Sequence, residues 1–233
     1  MEKRIILSMV FVLTALEAGT LKGHVKYDGK APKPKRLRMD ADPVCGSSHS
    51  GPVRSESFKM AKDGSMKEAL VYLKNVDYRG DIPSEPAVLD QQGCIYVPHV
   101  FGMMAGQELL IKNSDATLHN IHSMPKVNKE FNFAMPKVVK KKKASFAKSE
   151  PDPFYIKCDV HPWMKTWVLV SDHPYYAVTD EKGNFSIDNI PPGTYDVVCW
   201  QEKFGSKRAL TSKVTIGNGE TTKDFVFSRP GKK

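Results

Sequence analysis

The stretch Cys158-Asp159-Val160-His161-Pro162-Trp163-Met164 places a thiol, an imidazole and a thioether three residues apart on one short loop. Soft sulfur donors select copper, and a trigonal set of two histidines and one cysteine with a weak axial methionine holds a one-electron copper. The second imidazole stands upstream in Asn113-Ser114-Asp115-Ala116-Thr117-Leu118-His119-Asn120. That segment follows Glu108-Leu109-Leu110-Ile111, which reads as a strand running into a polar turn. His119, Cys158, His161 and Met164 are therefore the candidate metal ligands. Zinc is the competing metal, but structural zinc sites take four strong ligands and rarely a thioether, so Met164 argues against it. A plainer reading is also open, in which Cys158 is a buried thiol and His161 a surface imidazole.

Beyond the ligands, Pro98 at a strand start, Gly106 before the next strand, and Asn113 and Asp115 ahead of His119-Asn120 precede the cysteine loop in order. On these motifs, Tyr96 to Val170 resembles the cupredoxin family, with a cysteine loop most similar to that of the amicyanins. The resemblance implies a Greek-key β-sandwich holding one type 1 copper on those four ligands. It further implies that Asn120 bonds near the thiolate and braces the two ligand loops, with Pro162, Trp163 and Phe154 excluding water. His161 would reach the surface as the electron port, with Pro162 and Trp163 in an apolar docking rim, although a buried loop anchor is an equally ordinary role for Trp163. Such a copper has no strong open coordination position, so the expectation is an electron carrier and not an enzyme.

The remaining sequence suits an exported all-β protein. Hydrophobic residues make up 40% and charged residues 26% of the 233, within the range of globular domains. Strands bounded by Gly, Pro, Asn and Asp recur, and no stretch sustains a helical apolar period over several turns. Lys3-Arg4, an apolar run from Ile5 to about Leu16 and small residues at Ala18-Gly19 have the layout of a secretory signal peptide over residues 1–18. The run is too short to span a bilayer, so the expected location is periplasmic or otherwise exported, with an uncleaved interfacial anchor as the alternative.

The leader carries no net charge, so the mature chain keeps the formal +9 and favours an acidic partner, such as a cytochrome or another redox protein. Five basic residues fall within Lys137 to Lys143. Lys140, Lys141, Lys142 and Lys143 could steer that partner, or simply solvate an edge strand. Anionic lipid offers a peripheral membrane contact, whereas nucleic acid is disfavoured because no binding motif accompanies the charge.

Of the four cysteines, Cys158 must stay free if it binds copper, which leaves three for at most one disulfide. Cys45 and Cys94 lie in Gly- and Pro-containing loops and Cys199 in an apolar strand, so the expected pair is Cys45 with Cys94. No Cys-x-x-Cys-His occurs, which excludes a covalent c-type haem.

From Ala177 to Tyr195 the pattern is strand, Gly turn, alternating strand with Phe185 and Ile187, Pro-Pro-Gly turn and strand. This resembles the carboxypeptidase-regulatory-like family, a transthyretin-like β-sandwich that implies no catalytic residues. Gly23 to Gly29 and Ala69 to Leu73 resemble its opening strands. The expected layout is an N-terminal β region over 19–80, the cupredoxin domain over 86–172, a carboxypeptidase-regulatory-like region over 173–228 and a tail over 229–233. In one version the first and third regions form a single sandwich split by the cupredoxin. In the other, Ala69 to Val76 supplies an early cupredoxin strand.

His122 and Met124, with His99 or Met135, suggest a second metal site only weakly, because strand alternation puts His119 and His122 on opposite faces. Met103-Met104 reads as packing, and His24, His49 and His173 as surface or loop residues. Two other function classes stay open: a copper-trafficking protein with an exposed site that releases Cu(I), and a structural module whose cupredoxin-like part is redox-inert.

Overall fold

Alternation of apolar and polar side chains sets most of the strands, and its exceptions set how the sheets are layered. The structure is a computed structural model that describes residues 18–228. Except for Ala18, the expected leader lies outside the described residues, as does the tail over 229–233. The chain opens with β1 (Gly19–Asp28), the helix α1 (Pro43–Ser47), a short pair β2 (Lys59–Met60) and β3 (Met66–Lys67), and β4 (Leu70–Lys74). There follow β5 (Ala87–Gln92), β6 (Ile95–Val97), β7 (Val100–Met104), β8 (Glu108–Asn113) and β9 (His119–Ser123). Next come β10 (Asn132–Met135), β11 (Lys141–Ser145), β12 (Phe154–Lys157) and β13 (Lys165–Ser171). The last six are β14 (Tyr176–Val178), β15 (Asn184–Ile190), β16 (Gly193–Trp200), β17 (Leu210–Ile216), β18 (Gly219–Thr222) and β19 (Phe225–Ser228).

The five-stranded sheet β10-β9-β12-β13-β7 faces the four-stranded sheet β11-β8-β5-β6. Leu89, Leu109 and Ile111 from one side meet Ile121, Ile156, Val168 and Val170 from the other in a single apolar core, which also contains Cys158 and Met164. A second pair of layers consists of β14-β4-β16-β17 and the sheet around β1, which pairs with β15, β18 and β19. Leu21, Val25, Phe185 and Phe227 pack there against Val71, Leu73, Val197 and Cys199.

A third apolar layer lies between the two pairs. Leu70, Tyr72, Val198 and Trp200 turn away from their own sandwich and meet Val100 and Leu169, with Trp167 beside them. This explains why Leu70-Val71-Tyr72-Leu73 is buried at every position: a strand covered on both faces reads as a continuous apolar run. Ala69–Val76 thus sends its strand to the sheet of β14, β16 and β17, not to the five-stranded one. The layers approach closely at Gly102, where a Cβ would stand 2.4 Å from the Tyr176 ring. The Gly turn and the Pro-Pro-Gly turn cross between sheets and do not close hairpins, since β15 pairs with β1 while β14 and β16 flank β4. Gly183 makes the first crossing with φ of +76°, and its carbonyl accepts from the Val25 amide at 2.8 Å.

His99, between β6 and β7, links the layers by polar contacts. Its Nε2 lies 2.7 Å from Glu202 just after β16, and its Nδ1 is 3.8 Å from Glu56. Burial opposes its charge, but the Glu202 bond and the nearby Glu68 and Glu56 prevail and raise its pKa. A raised folded-state pKa contributes stability fully present below the unfolded value of 6.5 and lost as pH rises through the folded one. The thermal midpoint of the wild type is expected to fall relative to His99→Gln as pH rises from 6.5 through the raised folded-state value. Parallel melting curves for the two proteins would contradict this, and the comparison cancels the other groups that titrate in the same range.

Candidate metal centre

Two loops supply the donors, and each is shaped by its own hydrogen bonds. Asn113, at the end of β8, donates from Nδ2 to the carbonyls of Thr117 (3.1 Å) and Met135 (2.8 Å), and its Oδ1 accepts from the Asp115 amide at 3.1 Å. This Asx turn presents Asp115, whose carboxylate accepts from the amides of Gly93 (2.7 Å) and Cys94 (2.9 Å) and bonds His119 Nε2 at 2.8 Å. The cysteine loop closes on itself. The Cys158 amide donates to the Met164 carbonyl (3.2 Å), the Met164 amide to the His161 carbonyl (2.9 Å), and the His161 amide to Cys158 Sγ (3.3 Å). Asn120 Oδ1 accepts from the Asp159 amide at 2.9 Å, tying β9 to that loop.

These loops bring His119, Cys158 and His161 together, with their donor atoms all within 4.8 Å of one another. His119 Nδ1 lies 2.9 Å from His161 Nδ1, which is 3.8 Å from Cys158 Sγ. All three residues are buried, and so is Met164, in the same core as Cys158. The outer nitrogen of each ring has a carboxylate partner, Asp115 for His119 and Asp42 for His161 at 3.2 Å. Protons on those outer nitrogens leave both Nδ1 lone pairs pointing at each other and toward the sulfur. Such an arrangement needs a cation between the rings or a shared proton, because two buried lone pairs cannot otherwise be satisfied. The electrostatics of the pocket agree. Burial opposes charging His119, yet its bonds to Asp115 and Cys158 push its pKa up to about 9. Burial likewise opposes the Cys158 thiolate, but His119 and the amides of His161, Asn120 and Val160 hold its pKa below the ordinary value. His161 is moved down by burial and by the His119 charge, against the pull of Asp42. A thiol that ionises more readily than usual, beside clustered imidazoles, is the donor set a soft or borderline metal takes up with release of a proton.

Sequence reading missed Asp42. It caps α1, accepting on Oδ1 from the amides of Val44 (2.8 Å) and Cys45 (3.2 Å), with Pro43 at the first helical position. Its Oδ2 accepts from Thr117 Oγ1 at 3.0 Å and meets His161. The Asp-Pro helix start is visible in sequence; its seat on a ring 119 residues away is not. The helix is fastened by a disulfide between Cys45 and Cys94, and Cys45 Sγ stands 3.8 Å from His161 Nε2. His161 is therefore only 2% exposed and does not reach the surface as the resemblance implied. The segment around α1 folds over the edge of the ring that would otherwise be open.

Trp163 is half-buried, donating from Nε1 to the Cys94 carbonyl at 3.0 Å with its ring 5.0 Å from that of His161, while Pro162 is exposed. Phe154 is buried in the core beside the ligands. The lysine run forms an outer strand, β11. Lys140 and Lys141 are exposed, Lys142 lies over the Phe133 ring at 4.5 Å, and Lys143 pairs with Glu108 at 2.9 Å. Elsewhere, His122 bonds Asp159 and Glu130, and Met135 is buried with its sulfur 3.2 Å from Gln91 Nε2. His173 differs from expectation. It is a loop residue but only 2% exposed, its Nε2 lying 3.2 Å from the Leu73 carbonyl. Cys199 is a free, buried thiol whose pKa burial pushes up.

A model of the family described as polysaccharide lyase family 4, domain II, matches residues 137–224, less than half of the chain. No curated protein matches it. Among solved structures, a novel purple cupredoxin from Nitrosopumilus maritimus is similar at 22% identity and a TM-score of 0.31, covering 36% of this chain and 99% of its own. A Cu-containing nitrite reductase from Thermus scotoductus SA-01 is similar at 20% identity and a TM-score of 0.32, over 43% of this chain and 25% of its own. A Cu(I) amicyanin mutant is similar at 18% identity and a TM-score of 0.33, over 43% of this chain and 98% of its own.

Proposed function

We propose that this protein carries single electrons on one type 1 copper held by His119, Cys158, His161 and Met164. The observation that carries the reading is the buried pair of Nδ1 atoms 2.9 Å apart beside the Cys158 sulfur, each ring braced by a carboxylate on its far nitrogen. Bound there, copper would supply a reversible one-electron couple. The chain's own residues fix the two ring orientations, favour ionisation of the thiol and exclude water through Phe154, Trp163 and the helix cap. A closed pocket with no open donor position favours a carrier over an enzyme, and burial of all four donors disfavours a trafficking site that must surrender its metal. The Cys45–Cys94 disulfide supports an oxidising, exported location, and the charge of +9 supports an acidic redox partner. We take the cupredoxin-like layers as an insertion within a carboxypeptidase-regulatory-like sandwich. The pairing of β1 with β15, β18 and β19, and of β4 with β14 and β16, supports that division.

Addition of Cu(II) and an oxidant to the exported protein is expected to give an intense thiolate-to-copper absorption band with narrow hyperfine splitting in its paramagnetic-resonance spectrum. A colourless Cu(I) form that yields its metal to a chelator would favour trafficking, and absence of tight copper binding in the folded protein would leave a redox-inert scaffold.

A further inference from the structure

On the electron-carrier reading above, a buried His161 needs a different entry point. The segment that covers it has the chemistry of a docking face. Between Lys30 and Arg54 the chain carries six basic residues against two acidic ones. One of those acids, Asp42, is turned inward onto His161. Arg36 and Arg38 are both exposed and line a cavity of about 610 Å³ with Met39, Asp40, Cys45 and His49. Its floor reaches the centre in two contacts, since Cys45 lines the cavity and its sulfur lies 3.8 Å from His161 Nε2. Leu118 and Val160, each next in sequence to a ligand histidine, are 42% and 47% exposed and offer apolar contact. The lysines of β11 are a weaker face: Lys143 is already paired with Glu108, and Lys142 is laid over Phe133.

We infer that an acidic one-electron haem or copper protein docks on this cap, at the groove of Arg36 and Arg38, and reaches His161 through Cys45 and Asp42 and not through an exposed imidazole edge. Held by His119, Cys158, His161 and Met164, copper would supply the one-electron couple that takes up the electron the partner's metal gives up on oxidation; no bond would form or break and no proton would move. Opposite charge on the two faces raises the encounter rate and sets orientation, and both effects weaken with salt.

The test is a nuclear magnetic resonance titration of the full protein with cytochrome b5, an acidic haem protein, at low ionic strength and with and without copper. Shifts are expected to cluster in residues 36–53. Arg36→Glu with Arg38→Glu should raise Kd about tenfold or more, Asp40→Lys should lower it, and Lys141→Glu with Lys143→Glu should change it less than about twofold. Shifts centred on β11, or a Kd that responds to the β11 pair and not to the cap, would overturn the inference. Because the titration is also run without copper, a protein that binds no copper would still report whether the cap is the docking face.

Discussion

Replacing Cys158 by serine is expected to abolish the copper absorption band completely while the protein remains folded. The band arises from a thiolate, and a serine hydroxyl does not ionise in this pH range. The substitution is nearly isosteric, and the new oxygen can accept from the His161 amide that now reaches Sγ at 3.3 Å. The core around it, from Leu89 and Ile111 to Val170, is left intact, and burying a hydroxyl in place of the thiol should cost on the order of 1–3 kcal/mol. Absorption spectra and thermal melting of the two proteins check both halves. A surviving band would assign the thiolate elsewhere, and Cys199, the other free cysteine among the described residues, sits in a different core with its pKa raised by burial.

The double substitution Cys45→Ser and Cys94→Ser should have the largest effect on stability. The bridge closes a loop of 49 residues, and the chain-entropy relation gives about 4 kcal/mol for a loop of that length. The same change removes the covalent tie between the cap and Cys94, leaving the His49 bond to the Gly93 carbonyl and the Asp42 bonds to Thr117 and His161 to hold it. In the copper-free protein, His161 should then be carbethoxylated by diethyl pyrocarbonate much faster than in the wild type, as read by peptide mass. A denaturation midpoint shifted by less than about 1 kcal/mol, with His161 still protected, would mean that Asp42 and the packing of Met39 hold the lid without the bridge.

The meeting of His119, Cys158 and His161 was legible because its chemistry is local: a strand, a polar turn and one seven-residue loop carry the three residues. The pairing of Cys45 with Cys94 was legible from their loop contexts. What escaped was whatever depended on distant chain closing over a site. Nothing near Asp42 marks it as the partner of a ring 119 positions later, and so His161 read as a surface residue. His173 misled for the same reason, since a polar loop residue just before Pro174 says nothing of the Leu73 carbonyl it meets. The short turns at Gly183 and Pro191-Pro192-Gly193 were correctly placed, yet a turn's length does not say whether its strands stay in one sheet. Leu70 to Leu73 was recognisable as a strand, whereas its membership of a particular sheet depended on which of two faces a neighbour would cover.

The apolar layer shared by Leu70, Tyr72, Val198 and Trp200 with Val100, Trp167 and Leu169 makes the halves of this molecule interdependent. Cut out on its own, the half that contains Cys158 would present a water-averse wall of valine, leucine and tryptophan to solvent, a surface prone to self-association. The two pairs of layers are therefore expected to depend on each other for folding and solubility.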